Sequence, residues 1–331
     1  MRVAVLGGGA WGTALADLLA RKGEEVVLWA REPEVVESVN RDHANPMFLP
    51  DAPLAPVLVA ESDVRRAVQG AELVVSAAPS FAVRAVARQA APALDPAVLV
   101  VSVSKGLEDD AKTMFTVLSE ELPAGTEIAV LSGPSFAREV HQGQPTAVVA
   151  AAPDEGVARR GQRAFSCGHF RVYTHTDVVG VELGGALKNV IAVAAGIVEG
   201  LGLGHNPRAA LITRGLAEIT RLGVRMGADP LTFAGLAGMG DLILTATGAL
   251  SRNRTLGEEL GRGKSPEEAL AGKKSVAEGV NTARTAVALG ERHSVELPIA
   301  RQVSEILFKG KSPRQAITDL MERDLKAEQW R

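Results

Sequence analysis

The sequence predicts an α/β fold in which an N-terminal Rossmann-type, doubly wound, mostly parallel sheet precedes an all-α C-terminal domain. Three observations carry this expectation. Gly7, Gly9 and Gly12 stand in G-x-G-x-x-G spacing between an apolar, partly β-branched run and a helix-forming one. Strand-like and helix-like segments then alternate as far as Tyr173. Past Asp177 the strand signals stop and helical patterns continue to the end. The expected division is residues 1–176 for a dinucleotide-binding domain and 177–331 for a helical substrate and catalytic domain.

Val3–Leu6 is short and apolar, as a strand buried on both faces should be. Gly7 allows a sharp turn after it, Gly9 lets a pyrophosphate approach the backbone, and Gly12 lets helix and strand pack closely. The helix that starts at Ala10 and Trp11 turns its unpaired N–H groups and positive dipole end toward that phosphate. Glu25–Trp29 reads as the second strand, ending in Trp29-Ala30-Arg31. An NAD site usually has a carboxylate there for the ribose 2′-hydroxyl, whereas Arg31 suits a 2′-phosphate, or is a solvated arginine before a helix starting at Glu32-Pro33-Glu34. The stretch Pro46–Pro53 is too proline-broken for a helix and reads as an irregular loop able to cover a ligand. Further strands are expected at Val57–Val59, Leu73–Ala77, Val98–Val103, Ile128–Leu131, Ala147–Ala152 and Phe170–Tyr173. Ligands of such sheets sit at carboxyl ends of strands. Three ends draw attention: Ala78-Pro79-Ser80, Ser104-Lys105-Gly106 with its cation, and the small-residue turn Ser132-Gly133-Pro134-Ser135-Phe136-Ala137.

Composition narrows the function. With 331 residues, 46% hydrophobic and 23% charged, and a net charge of -3, the chain is neither disordered nor a basic nucleic-acid binder, so a small molecule is the expected partner. A single cysteine, Cys167, excludes an internal disulfide and reads as a small core residue beside Phe165 and Phe170. The six histidines show no close metal-ligand spacing, so no metal is expected. Val178–Gly204 contains Glu182, Lys188 and Glu199, too many charges for an ordinary membrane span, and reads as a buried helix. Asp17, together with the strand-glycine-helix order, argues against a signal peptide and for a cytoplasmic protein.

In the helical half Lys188 is anomalous, because Gly184-Gly185-Ala186-Leu187-Lys188-Asn189-Val190-Ile191-Ala192 is otherwise apolar. A helical side chain leans over residues three and four back, here Gly185 and Gly184, which should leave it space. A lysine in such a cleft gains a lowered pKa and serves as general acid or base near neutral pH; paired with a carboxylate it is structural instead. Ser251-Arg252-Asn253 offers forked cationic donors and polar hydrogen bonds suited to a phosphate, and equally fits a helix cap beside a surface arginine. Ser275-Val276-Ala277-Glu278-Gly279 is a polar turn whose acid can hold a ribose hydroxyl. Gly263-Lys264-Ser265 mimics the end of a P-loop, but the earlier glycine falls on Glu258 and no strand precedes it.

Taken in order, Gly7–Ala14, Ser104-Lys105-Gly106-Leu107, Ser132–Ala137, Gly184–Asn189, Ala237-Gly238-Met239-Gly240-Asp241-Leu242, Ser251-Arg252-Asn253 and Val276-Ala277-Glu278-Gly279 closely resemble the bacterial NAD(P)-dependent sn-glycerol-3-phosphate dehydrogenases, end to end. The resemblance implies reversible reduction of dihydroxyacetone phosphate to sn-glycerol 3-phosphate, a precursor of glycerophospholipids. By resemblance Lys188 is the proton donor and acceptor, and Lys105, Gly133, Ser135, Asp241, Ser251, Arg252 and Asn253 complete the substrate set. The cofactor set is Ala10, Trp11, Arg31, Lys105, Ala137, Arg252, Val276 and Glu278, beside Gly7, Gly9 and Gly12. Ala10 stands where the family often has serine, so only its backbone N–H can serve. NADP(H) is the expected preferred cofactor with NAD(H) usable, and the family suggests a homodimer. Two rivals remain at this stage: a two-domain dehydrogenase of a β-hydroxy acid or sugar acid, which has no need of the Ser251-Arg252-Asn253 cluster, and a non-catalytic NADPH sensor, which has no need of Lys188.

Overall fold

The computed structural model describes residues 1–108, 110–272, 277–325 and 327–328. Its strands are β1 (Arg2–Leu6), β2 (Glu25–Trp29), β3 (Ala44–Asn45), β4 (Leu49–Pro53), β5 (Val59–Glu61), β6 (Leu73–Ser76), β7 (Leu99–Ser102), β8 (Glu127–Ser132), β9 (Thr146–Ala151) and β10 (Phe170–His175). Eight of them form one sheet in the order β10-β9-β8-β7-β6-β1-β2-β5. Every pair is parallel except β8 with β9. The connecting helices are α1 (Ala10–Arg21), α2 (Pro33–Asp42), α3 (Val64–Val68), α4 (Ser80–Ala90), α5 (Met114–Glu121), α6 (Ala137–His141) and α7 (Glu155–Phe165). Alternate strand residues feed different cores. Val3, Val5, Leu28, Val75 and Val101 join one, while Ala4, Leu6, Val27, Val74 and Val100 join the other. Burial on both faces is why these strands read as unbroken apolar runs.

Two local expectations are corrected. The proline-rich stretch is no irregular loop: β3 and β4 pair antiparallel as a hairpin outside the main sheet. The prolines are accommodated because a two-stranded ribbon has free edges that need no amide donor. β5 begins at Val59 rather than Val57, because Leu58 closes a turn by donating its N–H to the Ala55 carbonyl. Cys167 is half-buried against the core that contains Phe165 and Phe170.

The second half consists of α8 (Val178–Gly200), α9 (His205–Arg225), α10 (Pro230–Ala234), a π-helical turn at Leu236–Gly240, α11 (Asp241–Thr247), α12 (Arg252–Gly261), α13 (Pro266–Leu270), α14 (Glu278–Arg292), α15 (Pro298–Lys309) and α16 (Pro313–Met321). Although α8 is long and apolar enough to cross a bilayer, it lies inside this helical body, packed against α9, α11, α12, α14 and α15. Its crossing with α12 is exceptionally close. A Cβ on Gly196 would lie 1.9 Å from the Arg254 carbonyl oxygen, and one on Gly257 would lie 1.9 Å from that of Val193. Glycine at both positions lets the backbones meet, which brings Ser251–Asn253 alongside Lys188 and Asn189. The P-loop mimic is a helix start: Ser265 caps α13 and exchanges a reciprocal pair of hydrogen bonds with Glu268.

Candidate active site

The glycine turn follows β1 and opens α1. Gly7 has φ +140, where a Cβ would lie 2.7 Å from the Ala77 carbonyl carbon, and a Cβ on Gly12 would lie 2.0 Å from the Gly7 oxygen. Gly9 differs from both: a Cβ there meets nothing within 4 Å. Two glycines are therefore demanded by the protein's own backbone, while the third leaves an open approach. Gly9 caps α1 without a side-chain partner, so the first-turn N–H groups at Ala10 and Trp11 face that opening unspent. The Trp11 indole N–H is buried without a hydrogen-bond partner among the described residues. An open glycine, bare helix N–H groups and an orphaned donor together fit a dinucleotide.

At the carboxyl ends of β7 and β8 the charges converge. Lys105 donates from Nζ to the Gly133 carbonyl at 2.7 Å, to Ser135 Oγ at 3.2 Å and to Asp241 Oδ2 at 2.9 Å. The other oxygen of Asp241 accepts from Lys188 Nζ at 2.5 Å, and Lys188 also donates to Thr245 Oγ1 at 2.7 Å. One carboxylate thus bridges two lysines. Lys188 and Asp241 are 5% and 1% exposed. Burial is the main force pulling the Lys188 pKa down to about 8, helped by repulsion from Lys105 and Arg252 and opposed by Asp241. An ammonium with that pKa gives up a proton readily near neutrality.

Gly184 and Gly185 play a different part from the one expected. A Cβ on Gly185 would lie 2.6 Å from Ser132 Oγ, and one on Gly184 would lie 2.6 Å from the Ala237 carbonyl oxygen. The space they leave is filled by β8 and the π-helical turn, so they dock α8 against both sides of the site instead of clearing room for Lys188.

The polar cluster after α11 divides its labour. Ser251 caps α12, accepting from the Arg254 N–H at 3.2 Å. Asn253 is buried, donating to Asn189 Oδ1 at 2.9 Å and accepting from the Gly279 N–H at 3.0 Å. Asn189 in turn donates to the Lys105 carbonyl at 3.0 Å. Arg252 makes no hydrogen bond or salt bridge among the described residues. Crowding by protein lowers its pKa although the side chain keeps solvent exposure, and Glu278 pulls the other way. Glu278 heads α14 and accepts from the Ser80 N–H at 3.0 Å and its hydroxyl at 2.6 Å. Arg31 lies past the end of β2 with its side chain 80% exposed, 2.7 Å from Glu32. Ala137 begins α6, and Val276 lies outside the described residues.

Thr245 and Asn189 were not singled out by sequence reasoning. Thr245 stands one helical turn after Asp241, a spacing that could have flagged it. Asn189 adjoins Lys188 in the same motif.

Comparisons with known proteins place this geometry. Residues 2–158 match the family model described as NAD-dependent glycerol-3-phosphate dehydrogenase N-terminus, and residues 177–318 match the corresponding C-terminus. The glycerol-3-phosphate dehydrogenase [NAD(P)+] of Geobacter sulfurreducens is 56% identical over 99% of both chains. A Coxiella burnetii glycerol-3-phosphate dehydrogenase crystal structure superposes with a TM-score of 0.93 at 40% identity, covering 97% of this chain and 99% of that one. The yeast enzyme gives 0.81 at 28% identity, covering 98% and 99%.

Proposed function

The chain belongs to the NAD-dependent glycerol-3-phosphate dehydrogenase family, and from that membership we propose how its residues divide the work. The reaction is the NAD(P)-linked, reversible reduction of dihydroxyacetone phosphate to sn-glycerol 3-phosphate. The observation that carries the residue assignment is the bridge from buried Lys188 through Asp241 to Lys105 at the carboxyl ends of the sheet.

In this reading Gly7, Gly9, Gly12, Ala10, Trp11, Ala137, Val276 and Glu278 hold the dinucleotide, which when bound supplies or accepts hydride. Lys188 delivers the proton to the substrate oxygen in reduction and recovers it in oxidation. Asp241 keeps the buried ammonium charged, and Thr245 shares its proton. Lys105, fixed by Gly133 and Ser135, adds a second cation beside the developing alkoxide. Arg252, with its donors uncommitted, anchors the phosphate and so orients the carbonyl carbon. Ser251 and Asn253 act by placing Arg252 and Asn189.

A preference for NADPH is supported by Arg31 and by the missing carboxylate at the end of β2. Supply of glycerophospholipid synthesis is proposed on the family resemblance. A homodimer is proposed on the same resemblance, a domain boundary at residue 176 on the change from alternating strands and helices to helices alone, and a cytoplasmic location on the strand-glycine-helix order and the single cysteine. Steady-state NADPH oxidation tests the phosphate assignment: dihydroxyacetone phosphate should exceed dihydroxyacetone by orders of magnitude in kcat/KM. Comparable values would remove Arg252 as phosphate anchor, and cofactor binding without turnover of any ketone would favour a sensor.

A further inference from the structure

A buried polar cluster that the catalytic reading leaves unused lies beneath the glycine turn. Asn45, in the β3–β4 hairpin, is fully buried. Its Nδ2 donates to the Gly8 carbonyl at 2.8 Å and to Thr13 Oγ1 at 2.8 Å, and its Oδ1 accepts from the Phe48 N–H at 3.2 Å. The Thr13 hydroxyl donates in turn to the same Gly8 carbonyl at 3.2 Å. A carbonyl can only accept and a backbone N–H can only donate, which fixes the orientation of the Asn45 amide.

The peptide linking Gly8 to Gly9 is planar and trans, so the Gly9 N–H points opposite to the Gly8 C=O. Two buried donors holding that carbonyl therefore also aim the Gly9 N–H, on the residue whose face is open. Gly7-Gly8-Gly9 has the greatest backbone freedom of any three residues, and ordering it in each binding event would be entropically costly. No side chain at Gly8 could do the ordering, because a Cβ there would lie 2.6 Å from the Ala30 Cβ. The hairpin that delivers Asn45 is itself tied down. Arg21 donates to the Pro53 carbonyl at 2.7 Å and Arg138 to that of Pro50 at 3.2 Å. We propose that Asn45, relayed by Thr13, is a positioning residue for cofactor binding, locking the Gly8–Gly9 peptide with its N–H toward the dinucleotide pyrophosphate. The proposal rests on the glycine turn as the dinucleotide site.

The test compares Asn45→Ala, the isosteric Thr13→Val and the hydroxyl-preserving Thr13→Ser. NADPH Kd is measured by fluorescence of the bound dihydronicotinamide, kcat at saturating NADPH and dihydroxyacetone phosphate, and folding by circular dichroism. Loss of a donor to a buried carbonyl should raise Kd roughly tenfold in Asn45→Ala and roughly threefold in Thr13→Val. Thr13→Ser should stay near wild type, and saturated kcat should change little in all three. Should Asn45→Ala fail to fold, the valine and serine pair decides alone. Folded variants with wild-type Kd overturn the proposal, as does a fall in saturated kcat as large as the rise in Kd. Wild-type protein that binds no dinucleotide would overturn the underlying site assignment with it, whereas wild-type binding with indifferent variants overturns this proposal alone.

Discussion

Replacing Asp241 by asparagine keeps the shape of the side chain and removes the charge that stabilises two lysines, the buried Lys188 and the partly exposed Lys105. In the intact site the Lys188 pKa is about 8 against an ordinary 10.5, a net cost of charging of roughly 3 kcal/mol. Asp241 Oδ1 lies 2.5 Å from Lys188 Nζ. At the effective dielectric suited to such sites, loss of this charge removes several kcal/mol of stabilisation from the ammonium, so the Lys188 pKa should fall well below its value in the intact site. In Asp241→Asn, Lys188 should then lose its proton at a lower pH than in the wild type. Reduction requires the protonated lysine, so wild-type kcat/KM for dihydroxyacetone phosphate should fall as pH rises through about 8, while glycerol 3-phosphate oxidation rises through the same point. In the variant most of Lys188 is uncharged at pH 7, so reduction there should drop by roughly an order of magnitude or more and recover on acidification. Initial rates of NADPH oxidation from pH 5 to 9.5 at fixed ionic strength give both profiles. A variant whose inflection stays near 8, or moves upward, would refute the argument that Asp241 holds the Lys188 proton in place.

Lys188→Ala should lower kcat by about two or more orders of magnitude with little change in NADPH Kd; near wild-type turnover in a folded variant would remove it from the chemistry. Arg252→Ala should raise KM strongly for dihydroxyacetone phosphate and scarcely for dihydroxyacetone, so equal effects on the two would assign the arginine elsewhere. Gly257→Ala forces a methyl into the Val193 carbonyl and should cost about 1–3 kcal/mol, read as a lower denaturation midpoint with unchanged m-value. Because Arg31 is exposed and already paired with Glu32, its preference for NADPH should be only several-fold. Arg31→Asp should swing the kcat/KM ratio toward NADH and high salt should shrink the wild-type ratio; an unmoved ratio in the mutant places the 2′-phosphate elsewhere.

What was legible in the sequence was whatever a local pattern encodes. The glycine spacing announces the turn because Gly7 and Gly12 answer steric demands from within a few residues or from the neighbouring strand end at Ala77, while Gly9 leaves its face open. Lys188 is conspicuous because a cation interrupts an apolar helix. Its partner is not, since Asp241 lies 53 residues away and the contact exists only once α8 and α11 pack. The same limit hid the role of Gly184 and Gly185, whose neighbours come from β8 and the π-helical turn. Asn45 was hidden by its surroundings. The prolines that follow it, Pro46, Pro50 and Pro53, suggest an irregular stretch, and nothing local says that the amide just before them reaches back to Gly8 and Thr13, 37 and 32 residues earlier.

The two halves meet through polar bonds at the site itself. Asn189 of α8 grips the Lys105 carbonyl, Asn253 grips Asn189, and Gly279 grips Asn253, a relay from the end of β7 to the first turn of α14. Ser80 and Glu278 close a second link between α4 and α14. Glu182 of α8 forms a third, accepting the Phe115 N–H in the first turn of α5 at 2.9 Å. Bonds of this kind are directional, so they fix the angle between the halves more tightly than apolar contact alone, which is tolerant of sliding. The two lysines come from different halves, Lys105 from the sheet and Lys188 from the helical body, and Asp241 can bridge them only when that angle is right. A change in the relay such as Asn253→Ala therefore acts on Lys188 without touching it, by loosening the placement of Lys105 relative to the carboxylate that both lysines share.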